Sequence, residues 1–359
     1  MGPTFHVVLQ DANGGYNNND TAFSSGTFTA GSSTSSGTLT GSTTALLTGG
    51  TVSSPNLTAP TYSFTTPTSD TFTVTTSGGG VYSMAADSVS TPVADFAVGA
   101  SVTITTPSQD PGILVAVQGP ASAPTITNTV WNAVGIQLNT GSGASANTIT
   151  SFTVDSTQIT VSGTGSFTST QLVNQNATGA PSTPTAGPSG SSWTVGSDGS
   201  FLASNSNGGP YTLGGAFSAS GNVLIGVDTY AGTNTPYLHF AVRGGSAPAS
   251  LSGLYNYVQY GPSGVNASGL TAAIGQIQFQ SNGTWNSIPG ASNTSGTIKA
   301  QSANNGTYAI GSTGSFTLTI AGGGSFAGAI SPDGNTVLMV DLNNNGIGNN
   351  SGIFIAVHQ

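Results

Sequence analysis

The 359-residue chain carries a formal net charge of −9, and only 4% of its residues are charged: one lysine, one arginine, eleven aspartates and no glutamate. Two cations cannot neutralise a phosphate backbone, which excludes ordinary nucleic-acid binding and disfavours an anionic membrane surface. The absence of cysteine excludes disulfides and thiolate metal sites. No run approaches the roughly 18 apolar residues of a transmembrane helix.

The remaining composition predicts an all-β fold. Thr, Val, Ile, Phe and Tyr alternate with Gly, Ser and Asn, as in short strands joined by tight turns. Helix formers are scarce, and 53 glycines and 18 prolines interrupt every stretch that is long enough for a helix.

Three segments of the chain open alike, which is the first sign of an internal repeat. They are Phe5-His6-Val7-Val8, Trp131-Asn132-Ala133-Val134 and Tyr255-Asn256-Tyr257-Val258. Further along, the strands that start at Phe72, Phe201 and Phe316 correspond. We leave the long polar stretches from Ser24 to Leu57 and from Gln175 to Ser192 as extended loops or weakly apolar strands.

The three segments also end alike, in alternating apolar strands. Aligned on alanine, their inward face is predicted to carry Ile113, Val115 and Val117, with counterparts Leu238, Phe240 and Val242, and Ile353, Ile355 and Val357. Upstream, the spacing of Asp87 and Asp95 matches that of Asp333 and Asp341, so we align Asp95, Asp228 and Asp341 at one strand end.

The repeat predicts three tandem antiparallel β-barrel or β-sandwich domains of about 115 residues each, since one unit recurs throughout the chain. The predicted domains are residues 1–119, 120–244 and 245–359, joined by short segments rich in Pro, Ala and Ser. In the third domain the pattern predicts eight strands, at 254–260, 274–281, 296–300, 306–311, 314–320, 325–330, 336–342 and 352–358.

The sequence favours an extracellular or cell-surface structural protein, a self-assembling subunit of a filament, fibre or layer. Low charge weakens the repulsion that keeps copies apart. The near absence of lysine and arginine also removes trypsin-like cleavage sites. We expect copies to join through strand edges, with the first strand at Phe5 and the last strand ending at Gln359 as joining elements.

The alternative is an adhesin-like module that binds carbohydrate. The candidate contacts are Asn, Thr, Tyr and Trp side chains, such as Trp131, Trp193 and Trp285, since aromatic faces stack on sugars. Thr-rich strands such as residues 71–76 are an open possibility for a hydroxyl array, although Thr is also an ordinary solvent-facing strand residue.

The sequence does not predict an enzyme or a cofactor. The three histidines, His6, His239 and His358, occupy different positions in the repeat, so they share no metal or triad geometry. The aligned aspartates are interpreted as structural because all three copies carry them.

Calcium is the one cofactor that the sequence leaves open. Asp341, Asn343 and Asn345, followed by Gly346, resemble the start of an EF-hand-like calcium loop, but Gly352 occupies the place of the bidentate glutamate. A hairpin loop rich in Asn explains the same residues. Glycosylation is permitted by eight Asn-x-Ser/Thr sequons, at Asn19, Asn56, Asn176, Asn266, Asn282, Asn293, Asn305 and Asn349.

Overall fold

A computed structural model describes most of the chain. Residues outside the described part are 1–3, 14–19, 31–35, 48–51, 54–59, 65–69, 77–79, 88–94, 103–111, 141–148, 164–165, 176–184, 187–190, 205–211, 229–236, 263–269, 295–296 and 342–351. The regular secondary structure of the described part consists of β-strands alone, so the all-β prediction is confirmed.

The first nine strands form one antiparallel sheet. They are β1 (Thr4–Asn13), β2 (Asp20–Ala30), β3 (Ser36–Leu47), β4 (Val52–Ser53), β5 (Thr61–Phe64), β6 (Thr71–Thr75), β7 (Val81–Ala86), β8 (Phe96–Ala100) and β9 (Gly112–Gln118). Their order is β2-β1-β9-β8-β7-β6-β5-β3-β4, and a further β2–β3 pairing closes eight of them into a ring. The result is an up-and-down barrel, with the two-residue β4 beside β3.

The second sheet repeats this order. Its strands are β10 (Thr129–Thr140), β11 (Ile149–Val161), β12 (Ser166–Gln175), β13 (Thr185–Ala186), β14 (Ser191–Val195), β15 (Ser200–Ser204), β16 (Thr212–Phe217), β17 (Val223–Asp228) and β18 (Tyr237–Arg243). The β11–β12 pairing closes the second barrel.

The third sheet repeats the order again. Its strands are β19 (Gly253–Pro262), β20 (Leu270–Phe279), β21 (Thr284–Thr294), β22 (Thr297–Ala300), β23 (Asn305–Ile310), β24 (Ser315–Ile320), β25 (Ser325–Ile330), β26 (Thr336–Val340) and β27 (Ile353–His358). The β20–β21 pairing closes the third barrel.

The register also recurs, at the pairing of the first and last strand of each sheet. Phe5 pairs with Gln118, Trp131 with Arg243, and Tyr255 with His358. The likeness of the three openings therefore corresponds to one position in three sheets. The domain limits 1–119, 120–244 and 245–359 remain a prediction.

The third barrel has one strand more than the sequence predicted. The predicted set omitted β21, whose Ser, Asn, Pro and Gly residues weaken the apolar alternation. The stretch Ser24–Leu57, left without a register, includes most of β2 and all of β3. In both regions strand pairing and closure of the ring outweigh weak local propensity.

Each barrel has an apolar core in its lumen. The alternation along β24 buries Phe316 and Leu318 and exposes Ser315, Thr317 and Thr319, as expected of a half-buried strand. The joints help to close two lumens, because Ile126 packs into the core of the second barrel and Leu251 into that of the third.

Candidate assembly interface

The largest apolar cluster belongs to all three barrels together. It contains Phe96, Val98 and Val115 from the first barrel, together with residues of the second and third, and its buried members are almost fully shielded from solvent. It is separate from the three luminal cores, which lie on the opposite faces of the same strands. The outer faces of three barrels therefore meet in one shared core.

The strands that meet there follow a cyclic rule. The eighth strand of each nine-stranded sheet lies against the first, second and ninth strands of a neighbouring sheet: β8 against β19, β20 and β27, β17 against β1, β2 and β9, and β26 against β10, β11 and β18. Each contact joins two different surfaces, and three such contacts close a ring. The arrangement is that of a cyclic trimer within one chain.

This arrangement corrects the predicted direction of the last strands. Val115, Phe240 and Ile355 are buried as expected, but they face the shared cluster between the barrels. The residues that alternate with them face the lumens, as Leu114 and Phe354 do. Both faces of these strands are buried, so their burial alone did not reveal which face was luminal.

Polar contacts at one end of the cluster repeat in the same cyclic sense. Asp95, at the start of β8, accepts hydrogen bonds from the backbone N–H of Ser220, at 2.9 Å, and from its hydroxyl. Asn222 precedes β17 as Asp95 precedes β8, and its Nδ2 donates to Oδ2 of Asp333 at 3.1 Å. The turns between the seventh and eighth strands therefore bind one another across the barrels.

A second pair of polar contacts repeats between the first strand of one barrel and a turn of the next. His6 Nε2 lies 3.0 Å from the carbonyl oxygen of Asp198, and Asn132 Nδ2 donates to that of Thr313 at 3.3 Å. Asn256 is the counterpart of both in the third barrel. It is buried, and its Oδ1 accepts a hydrogen bond from Gln276 at 2.9 Å.

A buried polar contact also links the third barrel to the first. Asn293 of β21 is 1% exposed, and its Nδ2 donates to the carbonyl oxygen of Ser101 at 2.9 Å. Burial of this amide excludes a glycan at Asn293 in the folded chain, because a bulky sugar needs a surface position.

Asp87 is a buried carboxyl group of the interface with a strongly shifted pKa. Its side chain is 6% exposed, and Oδ1 accepts a hydrogen bond from the Phe96 N–H at 3.1 Å. Burial, opposed by this hydrogen bond, raises the pKa of Asp87 to about 7, and the nearby Asp95 and Asp333 contribute in the same direction. Asp333 belongs to the third barrel, so its charge acts on Asp87 across the contact between the first and third barrels.

The aspartates that the sequence aligned do not occupy one position. Asp95 precedes β8, whereas Asp228 ends β17 and Asp341 follows β26. The alignment was wrong because the segment between β7 and β8 has nine residues, 87–95, whereas its counterparts 218–222 and 331–335 have five.

The predicted calcium residues are only partly described. Asp341 is half-buried, and its N–H donates to the carbonyl oxygen of Gly352 at 3.2 Å. Asn343 and Asn345 lie outside the described residues. Within the described part, no cluster of three or more His, Cys, Asp or Glu side chains is placed to hold a metal ion.

The tryptophans proposed for sugar stacking lie inside the barrels. Trp131, Trp193 and Trp285 are 1%, 8% and 5% exposed, and each belongs to a luminal core. The Nε1 of Trp285 donates to the carbonyl oxygen of Thr319 at 3.2 Å. Their faces are covered by neighbouring side chains, so they cannot stack on a carbohydrate.

Sequence reasoning missed a polar group in the second lumen. Asp155 is fully buried, and its Oδ2 accepts a hydrogen bond from the Thr157 hydroxyl at 2.5 Å. A Cβ on Gly135 would lie 2.6 Å from Asp155 Oδ1 and 2.7 Å from the Tyr237 hydroxyl, so glycine makes room for both. His239 is beside them, with its ring centroid 3.6 Å from that of Tyr237.

Comparisons with known proteins place the chain in no family. No family model and no curated protein matches it. Among solved structures, a mutant of the vaccine antigen transferrin binding protein B from Haemophilus parasuis has 10% identity and a TM-score of 0.29, and the match covers 99% of this chain and 76% of that one. A double mutant of the same antigen has 8% identity and a TM-score of 0.23, with the same two coverages.

Intact Ap-TbpB, with its N and C lobes, has 7% identity and a TM-score of 0.26, over 76% of this chain and 86% of that one. Likenesses this distant leave the function to be argued from the chain's own residues. No helix in the described part is long and apolar enough to cross a membrane.

Proposed function

We propose that the chain is an extracellular structural protein that self-assembles as the subunit of a surface filament, fibre or layer. Its three tandem β-domains of about 115 residues, 1–119, 120–244 and 245–359, act as one block. The observation that carries the proposal is the apolar cluster to which all three barrels contribute. A shared core gives a chain of small barrels the rigidity that a building unit needs.

The outer surface also favours association. Away from the shared cluster, strands such as β24 expose Ser315, Thr317 and Thr319, which carry no charge. With only 4% charged residues, little electrostatic repulsion keeps copies apart.

The barrels alter the expected mode of assembly. The first strand, β1, pairs with β2 and β9, and the last strand, β27, pairs with β19 and β26. Both edges of each strand are occupied, so neither offers a free edge to another chain. Assembly in this proposal therefore uses barrel faces. It needs no catalytic residue and no cofactor. The burial of the three tryptophans removes them as sugar-stacking residues, which leaves Asn, Thr and Tyr side chains as the candidate contacts of the carbohydrate alternative.

Electron microscopy and sedimentation velocity of the purified full-length chain test the proposal. We expect ordered oligomers whose fraction rises with protein concentration. A chain that stays monomeric up to millimolar concentration contradicts the proposed function.

A further inference from the structure

Two of the three contacts between barrels around the shared core are supported by a covalent joint, and the third is not. The first and second barrels are joined by residues 119–128, and the second and third by residues 244–252. These joints hold their barrels at a high effective concentration. The contact between the first and third barrels has no joint of its own. The ring is therefore closed there by non-covalent contacts alone.

That closing contact also differs in its charges. At the other two contacts the turns are bound by donor–acceptor pairs, Ser220 with Asp95 and Asn222 with Asp333. Across the closing contact, the buried Asp87 instead experiences the like charge of Asp333, in addition to the larger effect of Asp95 in its own barrel. Like charges destabilise a contact. Tyr255, which donates to the Gly334 carbonyl at 2.7 Å, is a further titratable group near Asp333.

We propose that the first and third barrels separate reversibly and that the faces so exposed bind the complementary faces of a second copy of this chain. One exposed face is the β8 side of the first barrel. The other is the side of the third barrel formed by β19, β20 and β27. This inference rests on the proposed function, since it names the contact through which copies assemble.

The occupant follows from the geometry of the ring. Each face fits a partner of known shape, because the same pair of faces already meets between the barrels of one chain. A contact between two different surfaces gives a closed ring within one chain or an open head-to-tail polymer between chains. Every contact made in the closed monomer is regained in the polymer, so exchange costs no buried apolar area.

Two substitutions are predicted to change the rate of exchange in opposite directions, because the closing contact must open before copies can join. Asn293→Ala removes the hydrogen bond to Ser101 across that contact, so we expect oligomers to form from isolated monomer about tenfold faster, the typical worth of one hydrogen bond. Asp87 gains its charge between pH 6 and pH 8, so oligomers of the unaltered chain should form faster at pH 8 than at pH 6. Asp87→Asn removes the like charge but keeps the acceptor for the Phe96 N–H, and it should slow their formation at pH 8 and abolish this pH difference.

Asn222→Ala is the matched control. It removes one amide hydrogen bond across the contact between the second and third barrels, which the joint tethers. We expect its oligomers to form at a rate within about twofold of that of the unaltered chain, because the tether maintains the contact. Sizes are measured by mass photometry as a function of time after isolation of the full-length monomer, with circular dichroism to confirm folding.

The outcomes separate this inference from the proposed function. Oligomers that form faster with Asn293→Ala and more slowly with Asp87→Asn support both. Oligomers that form at the same rate in the unaltered chain and all three variants overturn the exchange mechanism and leave self-assembly standing. A chain that is monomeric in every variant overturns both. If Asn293→Ala fails to fold, Asp87→Asn still decides, since an unchanged dependence of the rate on pH contradicts the inference.

Discussion

The carboxylate of Asp95 in the first barrel accepts two hydrogen bonds from Ser220 in the second, one from its backbone N–H and one from its hydroxyl. Asp95 is 9% exposed, so the carboxylate is shielded from water. Hydrogen bonds to a charged, shielded acceptor are stronger than those between neutral groups. This pair therefore binds the turn of one barrel to that of another.

Asp95→Ala is predicted to destabilise the chain by about 1–3 kcal/mol, because it leaves the Ser220 N–H without its acceptor. Urea denaturation at neutral pH measures the effect. Asp95→Asn is the control: its amide oxygen still accepts from the N–H, so the loss should be smaller. Equal losses for the two variants would show that the hydrogen bonds do not explain the effect.

Asp87→Asn is predicted to increase stability at pH 8. The folded pKa is about 7 and the ordinary value is 3.8, so the folded chain holds a proton that the unfolded chain releases between these pH values. Stability from this group is present at low pH and is lost as the pH rises to about 7. The difference of about 3 pKa units corresponds to at most about 4 kcal/mol. Urea denaturation at pH 5 and pH 8 measures the effect on the free energy of unfolding. If this free energy changes between the two pH values as much in Asp87→Asn as in the unaltered chain, the assignment is wrong.

His239→Leu is predicted to act on the pH profile with the opposite sign. Burial lowers the pKa of His239 from 6.5 to about 3, so the folded chain keeps it neutral while the unfolded chain binds a proton. Stability is therefore lost as the pH falls from about 6.5 towards 3. Leucine occupies the equivalent position of the first barrel, at Leu114. Between pH 7 and pH 4, the free energy of unfolding should therefore fall less in the variant than in the unaltered chain. Urea denaturation at the two pH values measures this difference.

The two groups are predicted to offset one another in the unaltered chain. Both groups affect stability between about pH 4 and 6.5. In this range the free energy of unfolding falls with rising pH because of Asp87 and rises with pH because of His239. The free energy of unfolding of the double variant should thus depend on pH as weakly as that of the unaltered chain. In each single variant it should change clearly with pH, and in opposite directions. Two single variants with slopes of the same sign would refute this account.

Gly214 and Gly215, neighbours on β16, are predicted to respond oppositely to alanine. A Cβ at Gly215 would lie 1.9 Å from the carbonyl oxygen of Ile225 and 2.6 Å from the Phe201 ring, whereas one at Gly214 meets nothing within 4 Å. Gly215→Ala should cost about 1–3 kcal/mol through overpacking. Gly214→Ala should be neutral or stabilising by about 0.4–1 kcal/mol, since it restricts the unfolded chain. Thermal denaturation of the pair checks both.

The sequence predicted the repeated strands well where apolar and polar residues alternate strongly. Phe316 and Leu318 on β24 are buried and Thr317 is exposed, as the pattern indicates. Strand β21 escaped prediction because its residues are mostly polar or small, and its place depends on pairing with β20. Such a strand forms because it completes the ring of strands, and the local sequence pattern does not indicate this.

The interface could not be predicted, because the sequence gives no sign of which face of a strand is luminal. On β11 the apolar Phe152 and Val154 face the shared cluster, while the polar Asp155 and Thr157 are buried on the other face. The usual rule, apolar inside and polar outside, assigns both faces wrongly in a barrel whose outer side is covered. Asn293 carried no distinguishing signal among the many Asn, Ser and Thr residues.

Cutting both joints of the folded chain tests the shared core most directly. Protease sites introduced at the exposed residues 121–123 and 245–246 allow cleavage without disturbing a strand. We predict that the three fragments remain one particle with the 35.2 kDa mass of the uncut chain, because the common apolar cluster holds them together. Fragments that separate into independent folded barrels on cleavage would contradict the account.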